Sequence, residues 1–318
     1  MSVHKPSLKD YLAICRFDHF TKHVFIIPGI CLAYILRYQH VHIQWANILF
    51  GCIVALSIAS ANYAINEWLD RNFDKFHPDK SWRTAIQFNL DPRVVWLMWG
   101  GLVFIGLGAA WLAGKVMFIA GSLFVLQGIF YNVPPLRSKD RAYLDVVSES
   151  INNPIRLTIG WAMIDPTTLP PASIILAYWL GGAFLMAAKR LSEYRETNAA
   201  GQREELEKYR KSFLHYSELS LLISCVAYAM MSNFFMAVFF IKYRVEFIIL
   251  LPMTTYLFCY YLAISMKPGS VAQKPENLLH ERNLIVTMSA LFVLFLLALF
   301  IDMPFIETLA VQKYIVLP

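Results

Sequence analysis

Charge is scarce in this chain. Asp, Glu, Lys and Arg make up 16% of 318 residues, 58% are hydrophobic, and the mean hydropathy is +0.49. A soluble domain carries about 25% charged and about 45–50% apolar residues. The deficit excludes a soluble globular enzyme, a disordered chain and a secreted disulfide scaffold. The five cysteines form no CxxC or CxxxH spacing, so they are expected to be buried apolar thiols. Ser/Gly linkers, repeat-length periodicity and low-complexity tracts are missing, which predicts one membrane domain over residues 1–318. Ten-residue stretches of alternating polarity are missing too, which excludes a membrane β-barrel.

What the chain does have is apolar blocks of about 18–25 residues, the length that crosses a hydrocarbon core. They predict an all-α polytopic membrane protein with spans at 24–36, 45–68, 93–114, 115–132, 146–164, 171–191, 214–241, 246–266 and 283–302. Of the 28 Lys and Arg, 22 fall on one side of these nine spans, in or beside 1–23, 69–92, 133–145, 189–213 and 267–282. The positive-inside rule makes that side cytoplasmic. The net charge of +6 is therefore a topology signal that also favours anionic substrates and lipid head groups, and it requires no nucleic acid. The first 23 residues carry no cleavage-site pattern, so no removable signal is expected. Ser7-Leu8-Lys9-Asp10 opens an interfacial helix with Leu8, Tyr11, Leu12 and Cys15 on one side.

Two of the cytoplasmic loops, 69–92 and 189–213, are long and rich in charge, and ionisable residues crowd the helix ends beside them. Such loops form soluble appendages or close over a site, and the ionisable residues at the flanking helix ends favour a site. Asn66, Asp70 and Asp74 are spaced i, i+4, i+8, which on a continuous helix places all three on one face. Hard oxygen donors in a row suit Mg²⁺, which keeps several waters and bridges one or two carboxylates to substrate phosphates. A solvated helix end, with the aspartates pairing to Arg71, Lys75 or Lys80, is the plainer alternative. Asn66 speaks against it, because an amide one turn deeper in an apolar helix needs a partner. Lys80 and Arg83 add cations beside the acidic row, as a diphosphate requires. His77-Pro78 reads as a turn rather than a metal ligand.

A second cluster stands at the inner end of the sixth span. In Lys189-Arg190-Leu191-Ser192-Glu193, Lys189 and Arg190 lie four and three residues from Glu193, so the three converge. As isolated groups, Lys189 and Arg190 also fit simple positive-inside anchors. Asn152, Asn153 and Arg156 sit in the fifth span, where a guanidinium must face the bundle interior. Glu149, seven residues before Arg156, and a substrate phosphate are its two candidate partners. Tyr131-Asn132-Val133-Pro134-Pro135-Leu136-Arg137-Ser138-Lys139 brings a rigid basic turn to the same face.

These residues resemble the UbiA superfamily of intramembrane prenyltransferases over nearly the whole chain. The resemblance runs from the opening Arg16, Lys22 and Pro28 through the Asn66/Asp70/Asp74 row and the Tyr131 turn to the ninth span. It implies a UbiA-like bundle with a cytoplasm-facing active-site cavity. Ordinary members carry a second Asp-x-x-x-Asp motif after the sixth span, and Lys189-Arg190-x-x-Glu193 stands in its place here. With His77-Pro78-Asp79-Lys80 and Arg83, and with Lys208-Tyr209-Arg210-Lys211-Ser212 before the seventh span, this resembles the decaprenyl-phosphate phosphoribosyltransferase branch. Glu67 stands where Asp is usual, and Ser81 and Thr84 where Arg and Pro are.

The resemblance implies transfer of 5-phosphoribose from phosphoribosyl diphosphate to a polyprenyl phosphate for cell-envelope synthesis, in a bacterial plasma membrane. It implies Mg²⁺ on Asn66, Asp70 and Asp74, with Lys80 and Arg83 neutralising the leaving diphosphate. Glu193 would bind ribose hydroxyls or a second metal. Lys189, Arg190 and Arg156, with Asn152 shaping their pocket, would hold the donor 5-phosphate or the lipid phosphate. Lys22, Arg137 and Lys139 are further phosphate contacts, and a homo-oligomer is compatible with all of this. The alternatives are prenyl transfer from a prenyl diphosphate to an aromatic acceptor, which expects the missing acidic motif, and transport of an anionic metabolite. A transporter expects inverted repeats, and the sequence has none.

Overall fold

The computed structural model describes residues 6–17, 20–37, 39–76, 80, 82–273 and 281–306. Among them the secondary structure is helical throughout. The α-helices are α1 (Leu8–Ala13), α2 (Ile27–Arg37), α3 (Trp45–Asp70), α4 (Thr84–Gln87), α5 (Pro92–Ala113), α6 (Lys115–Asn132) and α7 (Leu144–Ser150). There follow α8 (Asn152–Ile164), α9 (Ala172–Ala199), α10 (Arg203–Tyr209), α11 (Glu218–Tyr243), α12 (Leu251–Ser265) and α13 (Arg282–Phe300). Among the described residues, seven helical stretches are long and apolar enough to cross a bilayer: α3, α5, α6, α9, α11, Val245–Ser265 and α13. Large side chains such as Phe104, Trp111 and Phe300 stand exposed on them. An apolar exterior of this kind is stable against lipid and not against water.

Two of the nine predicted spans take another form. The first is short: a 3-10 turn at Phe20–Ile26 leads into α2. The fifth is broken at Ile151 into α7 and α8. Pro154 is the cause, since it has no N–H to give the carbonyl of Ser150 and its ring crowds that carbonyl. The helix stops at Ser150 and restarts, with Ile155 donating to Ile151 at 3.2 Å. The sixth span continues past residue 191 to Ala199, so the first half of the predicted 189–213 loop is helix, and α10 occupies much of the rest.

The chain forms two compact units, Met1–Pro170 with Thr197–Ser217, and Pro171–Glu196 with Glu218–Pro318. In the first, α3 is the central helix and packs on α5, α6 and α8. Val54, Ile58, Met117, Phe124, Ile159 and Met163 fill the space between them. Gly114 alone joins α5 to α6, at φ +117°, a conformation that a side chain would strain. Helix α1 forms at the expected place, its Asp10 carboxylate accepting from the Ser7 N–H at 2.6 Å. It buries Tyr11 and leaves Leu8 and Leu12 outside. In the second unit, Phe184 of α9 packs edge-on against Phe258 of α12, and Ser232 of α11 donates to the Ala177 carbonyl at 2.8 Å. Only Cys15 and Cys225 are buried thiols. Cys31, Cys52 and Cys259 lie on outer, lipid-compatible surfaces, contrary to the expectation from their apolar neighbours.

Helices α2 and α8 touch backbone to backbone. A Cβ on Gly29 would lie 2.0 Å from the Leu157 carbonyl oxygen, and one on Gly160 would lie 2.1 Å from that of Ile26. Small residues allow this approach in a solvent where apolar burial alone gives no drive to associate. Gly29→Ala and Gly160→Ala are each expected to cost about 1–3 kcal/mol through overpacking. Thermal unfolding of the protein in detergent checks this, and an unchanged melting temperature in both variants would refute the contact.

Just beyond the C-termini of these two helices, Asp165 is fully buried and accepts from Arg37 Nε at 2.8 Å, Thr167 Oγ1 at 2.6 Å and Thr168 Oγ1 at 2.6 Å. Burial by itself would raise its pKa. The bonds from Thr167, Thr168 and Arg37 more than offset this and hold the carboxyl well below the usual range. A depressed carboxyl contributes stability above its unfolded pKa, about 3.9, and loses it as pH falls further. Asp165→Asn should therefore lower the melting temperature at pH 7, and the gap to wild type should narrow below about pH 4. A gap that is constant between pH 7 and pH 3 would contradict the assignment.

Candidate functional site

Asp70 is the last residue of α3. The chain then turns through Arg71–Phe73 and begins a 3-10 helix at Asp74, so Asn66, Asp70 and Asp74 do not share one helical face as their spacing predicts. The two aspartates are drawn apart by different cations. Asp70 Oδ1 meets Arg137 Nη2 at 2.7 Å and Lys139 Nζ at 2.6 Å. Asp74, 1% exposed, is bonded by Arg83, with Lys80 Nζ at 3.5 Å.

The cations on Asp70 come from the segment after α6. Val133 leaves the helix in an extended conformation, as a residue before proline must. Arg137 adopts φ +28°, left-handed backbone that a non-glycine residue rarely occupies, and a 3-10 turn at Ser138–Asp140 follows. This path turns both side chains back toward α3. Arg137 Nε also bonds Asp140 at 2.9 Å. Lys139 is 3% exposed, and its ammonium donates to Asn132 Oδ1 at 2.8 Å. Burial pushes the Lys139 pKa down to about 8, although the Asp70 charge opposes the shift. Asn132 Oδ1 accepts a second bond from Asn66 Nδ2 at 2.6 Å, and Asn66 lies 3.3 Å from Asp70 Oδ2. The predicted residues Asn66, Asp70, Arg137 and Lys139 thus form one closed network around Asn132. Asn132 is the member that sequence reasoning did not single out, although an amide at the end of an apolar helix is the same signal that marked Asn66.

Around it stand two braces. Glu67 accepts from Arg16 Nε at 2.8 Å and from the Ala85 N–H at 3.3 Å, tying the start of the chain to the Arg83 segment. Lys80 also donates to the Tyr209 hydroxyl, at the end of α10. Beside Tyr209, Arg210 Nη1 lies 3.2 Å from the Tyr131 hydroxyl and 3.6 Å from Asp145, and neither Arg210 nor Asp145 was a candidate from sequence.

Arg156 is buried on α8 with its guanidinium carbon 5.1 Å from the centre of the Phe124 ring. Glu149, across the break at Ile151, accepts from the Tyr131 hydroxyl at 2.6 Å, and Asn152 Nδ2 donates to the Glu149 carbonyl at 3.0 Å. In the second unit, Arg190 and Glu193 pair at 2.9 Å on α9, at the predicted i, i+3 spacing, and Lys189 is half-buried beside them. The side chain of Lys22, and His77, Pro78, Asp79 and Ser81, lie outside the described residues.

The profile of the UbiA prenyltransferase family matches residues 26–275. The chain belongs to that family. Among curated relatives it is 26% identical over 171 residues to protoheme IX farnesyltransferase of Geobacillus kaustophilus (strain HTA426), covering 52% of this chain and 55% of that protein. It is 26% identical over 156 residues to protoheme IX farnesyltransferase 2 of Bacillus subtilis (strain 168), covering 48% and 50%. The chain thus spans about half the length of these relatives. A UbiA homologue from Archaeoglobus fulgidus, bound to GPP and Mg²⁺, superposes with a TM-score of 0.66 at 18% identity, covering 92% of this chain and 100% of that one. A digeranylgeranylglyceryl phosphate synthase structure gives 0.63 at 14% identity, covering 92% and 98%. At such identities the likeness is one of fold: this is a helical membrane protein of UbiA architecture.

The buried pairing of Asp74 makes a prediction separate from any catalytic role. Breaking a buried ion pair by removing one partner costs about 3–5 kcal/mol. Asp74→Asn and Arg83→Gln should each destabilise the substrate-free protein on that scale, and the double variant should lose clearly less than the sum. Strictly additive losses in a thermal double-mutant cycle would refute the coupling.

Proposed function

We propose that this protein transfers 5-phosphoribose from phosphoribosyl diphosphate to a polyprenyl phosphate and releases diphosphate. The observation that carries the reading is the charge at the site: four cations, Lys80, Arg83, Arg137 and Lys139, against three carboxylates, Asp70, Asp74 and Asp140. A site dominated by cations suits substrates with more phosphate than one prenyl diphosphate carries. Supporting it, Lys189-Arg190-x-x-Glu193 occupies the place of a second acidic row, and Arg190 already engages Glu193.

A divalent ion fits this donor set only as one shared with substrate. The described residues contain no group of three or more His, Cys, Asp or Glu able to hold a metal. Mg²⁺ accepts one or two carboxylates and fills its shell with waters and phosphate oxygens. Asn66, Asp70 and Asp74 are the residues assigned to it, and bound there it would neutralise charge on the departing diphosphate. Lys80 and Arg83 share that task. The acceptor phosphate is an anion at neutral pH, so its oxygen attacks ribose C1 without a strong general base as the C1–diphosphate bond breaks. Lys22, Arg137, Lys139, Asn152, Arg156, Lys189 and Arg190 are assigned to phosphate binding, and Glu193 to ribose hydroxyls or metal. The positive-inside bias puts the Asp70 end on the cytoplasmic side.

The second reading is prenyl transfer from a prenyl diphosphate, favoured by the names of the curated relatives. Purified protein with Mg²⁺, labelled phosphoribosyl diphosphate and polyprenyl phosphate is expected to yield labelled lipid. Product formed instead only from a prenyl diphosphate and an aromatic acceptor would overturn the proposal in favour of the second reading. On either chemistry Asp70→Asn should lose more than about tenfold in activity, since one transition-state contact is commonly worth about 2.7–4 kcal/mol. Retention above about a tenth at saturating Mg²⁺ would remove Asp70 from the reaction.

A further inference from the structure

We propose that Arg210 is a binding residue for a substrate phosphate, an inference that rests on the phosphoryl chemistry proposed above and adds a residue to it. The guanidinium is fixed from behind. Its Nη1 lies 3.2 Å from the Tyr131 hydroxyl and 3.6 Å from Asp145. Asp145 is itself fully buried and accepts from Ser212 Oγ at 3.0 Å and from the Tyr216 hydroxyl at 2.6 Å. Tyr131 is held in turn by Glu149. Among the described residues, the guanidinium is therefore bonded at one nitrogen only, with its carbon 5.7 Å from the neighbouring Tyr209 ring. Nε and Nη2, the fork that pairs with two phosphate oxygens, donate to no protein atom among the described residues. The side chain is 13% exposed, so it is reachable from outside.

Its position completes the case. Arg210 meets the hydroxyl of Tyr131, and the ring of that tyrosine lies 5.6 Å from the Lys139 ammonium. Arg137 and Lys139 bond Asp70 directly, whereas Arg210 comes from a different segment and makes no bond to it. Tyr209 on the same segment receives the Lys80 ammonium that faces Asp74. One short stretch of chain therefore bonds the Asp74 cluster through Tyr209, reaches the Asp70 cluster by way of Tyr131, and contributes a fifth cation with unused donors. Asp145 and Glu149 balance its charge without occupying the fork. A planar fork held rigid and left open matches a phosphate better than it matches a lone carboxylate. Two substrate groups have this chemistry, the phosphate of the lipid acceptor and the 5-phosphate of the donor.

The test uses full-length protein in detergent, with Arg210→Gln and Arg210→Lys. The KM for phosphoribosyl diphosphate is measured at saturating polyprenyl phosphate, and the converse. One KM is expected to rise about tenfold or more in Arg210→Gln, the usual loss of a charged hydrogen-bonding partner, while the other moves less than twofold. The KM that rises identifies the group. Arg210→Lys should fall between, since it keeps charge and loses the fork. Both KM values unchanged, or a lowered melting temperature with unchanged KM, would overturn the proposal and leave Arg210 a brace for Asp145. If wild type does not turn over these substrates, the functional reading fails separately. Calorimetric binding of inorganic phosphate and inorganic diphosphate, without divalent metal, then decides Arg210. About tenfold weaker binding in Arg210→Gln supports it, and equal binding refutes it. Should Arg210→Gln not fold, Arg210→Lys is read in the same measurements, with a threefold or greater loss supporting the fork and none refuting it.

Discussion

The interaction on which this end of the protein depends is the pair of cations on Asp70. A carboxylate at the last residue of α3 sits where the helix macrodipole is already negative. It is also nearly buried, in a protein whose surroundings supply little water. Neither condition is tolerable without positive charge held close. Arg137 and Lys139 provide it, and to do so the chain after α6 must double back toward α3. The left-handed Arg137 and the turn at Ser138–Asp140 are the local form of that demand. Asn132 and Asn66 then satisfy the polar atoms that remain.

The rest of the first unit holds this cluster in register. Backbone contact between α2 and α8 at Gly29 and Gly160 sets a helix spacing that no side chain can wedge open. Asp165, bonded to Arg37, closes the ends of those two helices. Apolar packing around α3 fills the span between. Each device spends a polar or backbone group where hydrocarbon solvent would penalise it if unpaired, so each fixes geometry as well as contributing stability.

How much was legible in the sequence follows from which interactions are local. Long apolar runs depend on composition alone, and the helices α3, α5, α6, α9, α11 and α13 fall where those runs lie. The Arg190–Glu193 pair is also local, one helical turn apart, and was readable from spacing. The fifth span was misread as continuous because hydropathy averages over Pro154, whereas a hydrogen-bond count would have located the break just after Ser150, whose carbonyl Pro154 leaves without a donor. The Asn66/Asp70/Asp74 face was misread because spacing assumes the helix continues. Its end is set by partners distant in sequence, Arg83 for one aspartate and Arg137 with Lys139 for the other. Arg210 and Asp145 were missed for the same reason, being 65 residues apart and meaning little until the fold brings them together.

The ion pairs that build the site also constrain how it can work. Arg137, Lys139, Lys80 and Arg83 are all engaged with aspartates in the substrate-free protein. On the proposed reaction a phosphate that binds them replaces one anionic partner by another, and Asp70 and Asp74 would exchange these cations for the divalent ion, so the side chains change partners without a new desolvation cost. That cost, several kcal/mol per buried ion, is met when the protein folds. Binding energy is then available for orienting ribose C1 toward the acceptor rather than for stripping water from cations. Arg210 differs in having its fork unused while its charge is already balanced by Asp145. An incoming phosphate displaces nothing there. The site therefore combines cations whose partners are exchanged with one whose donors are merely filled, and the second kind discriminates most sharply between a substrate that carries the extra phosphate and one that lacks it.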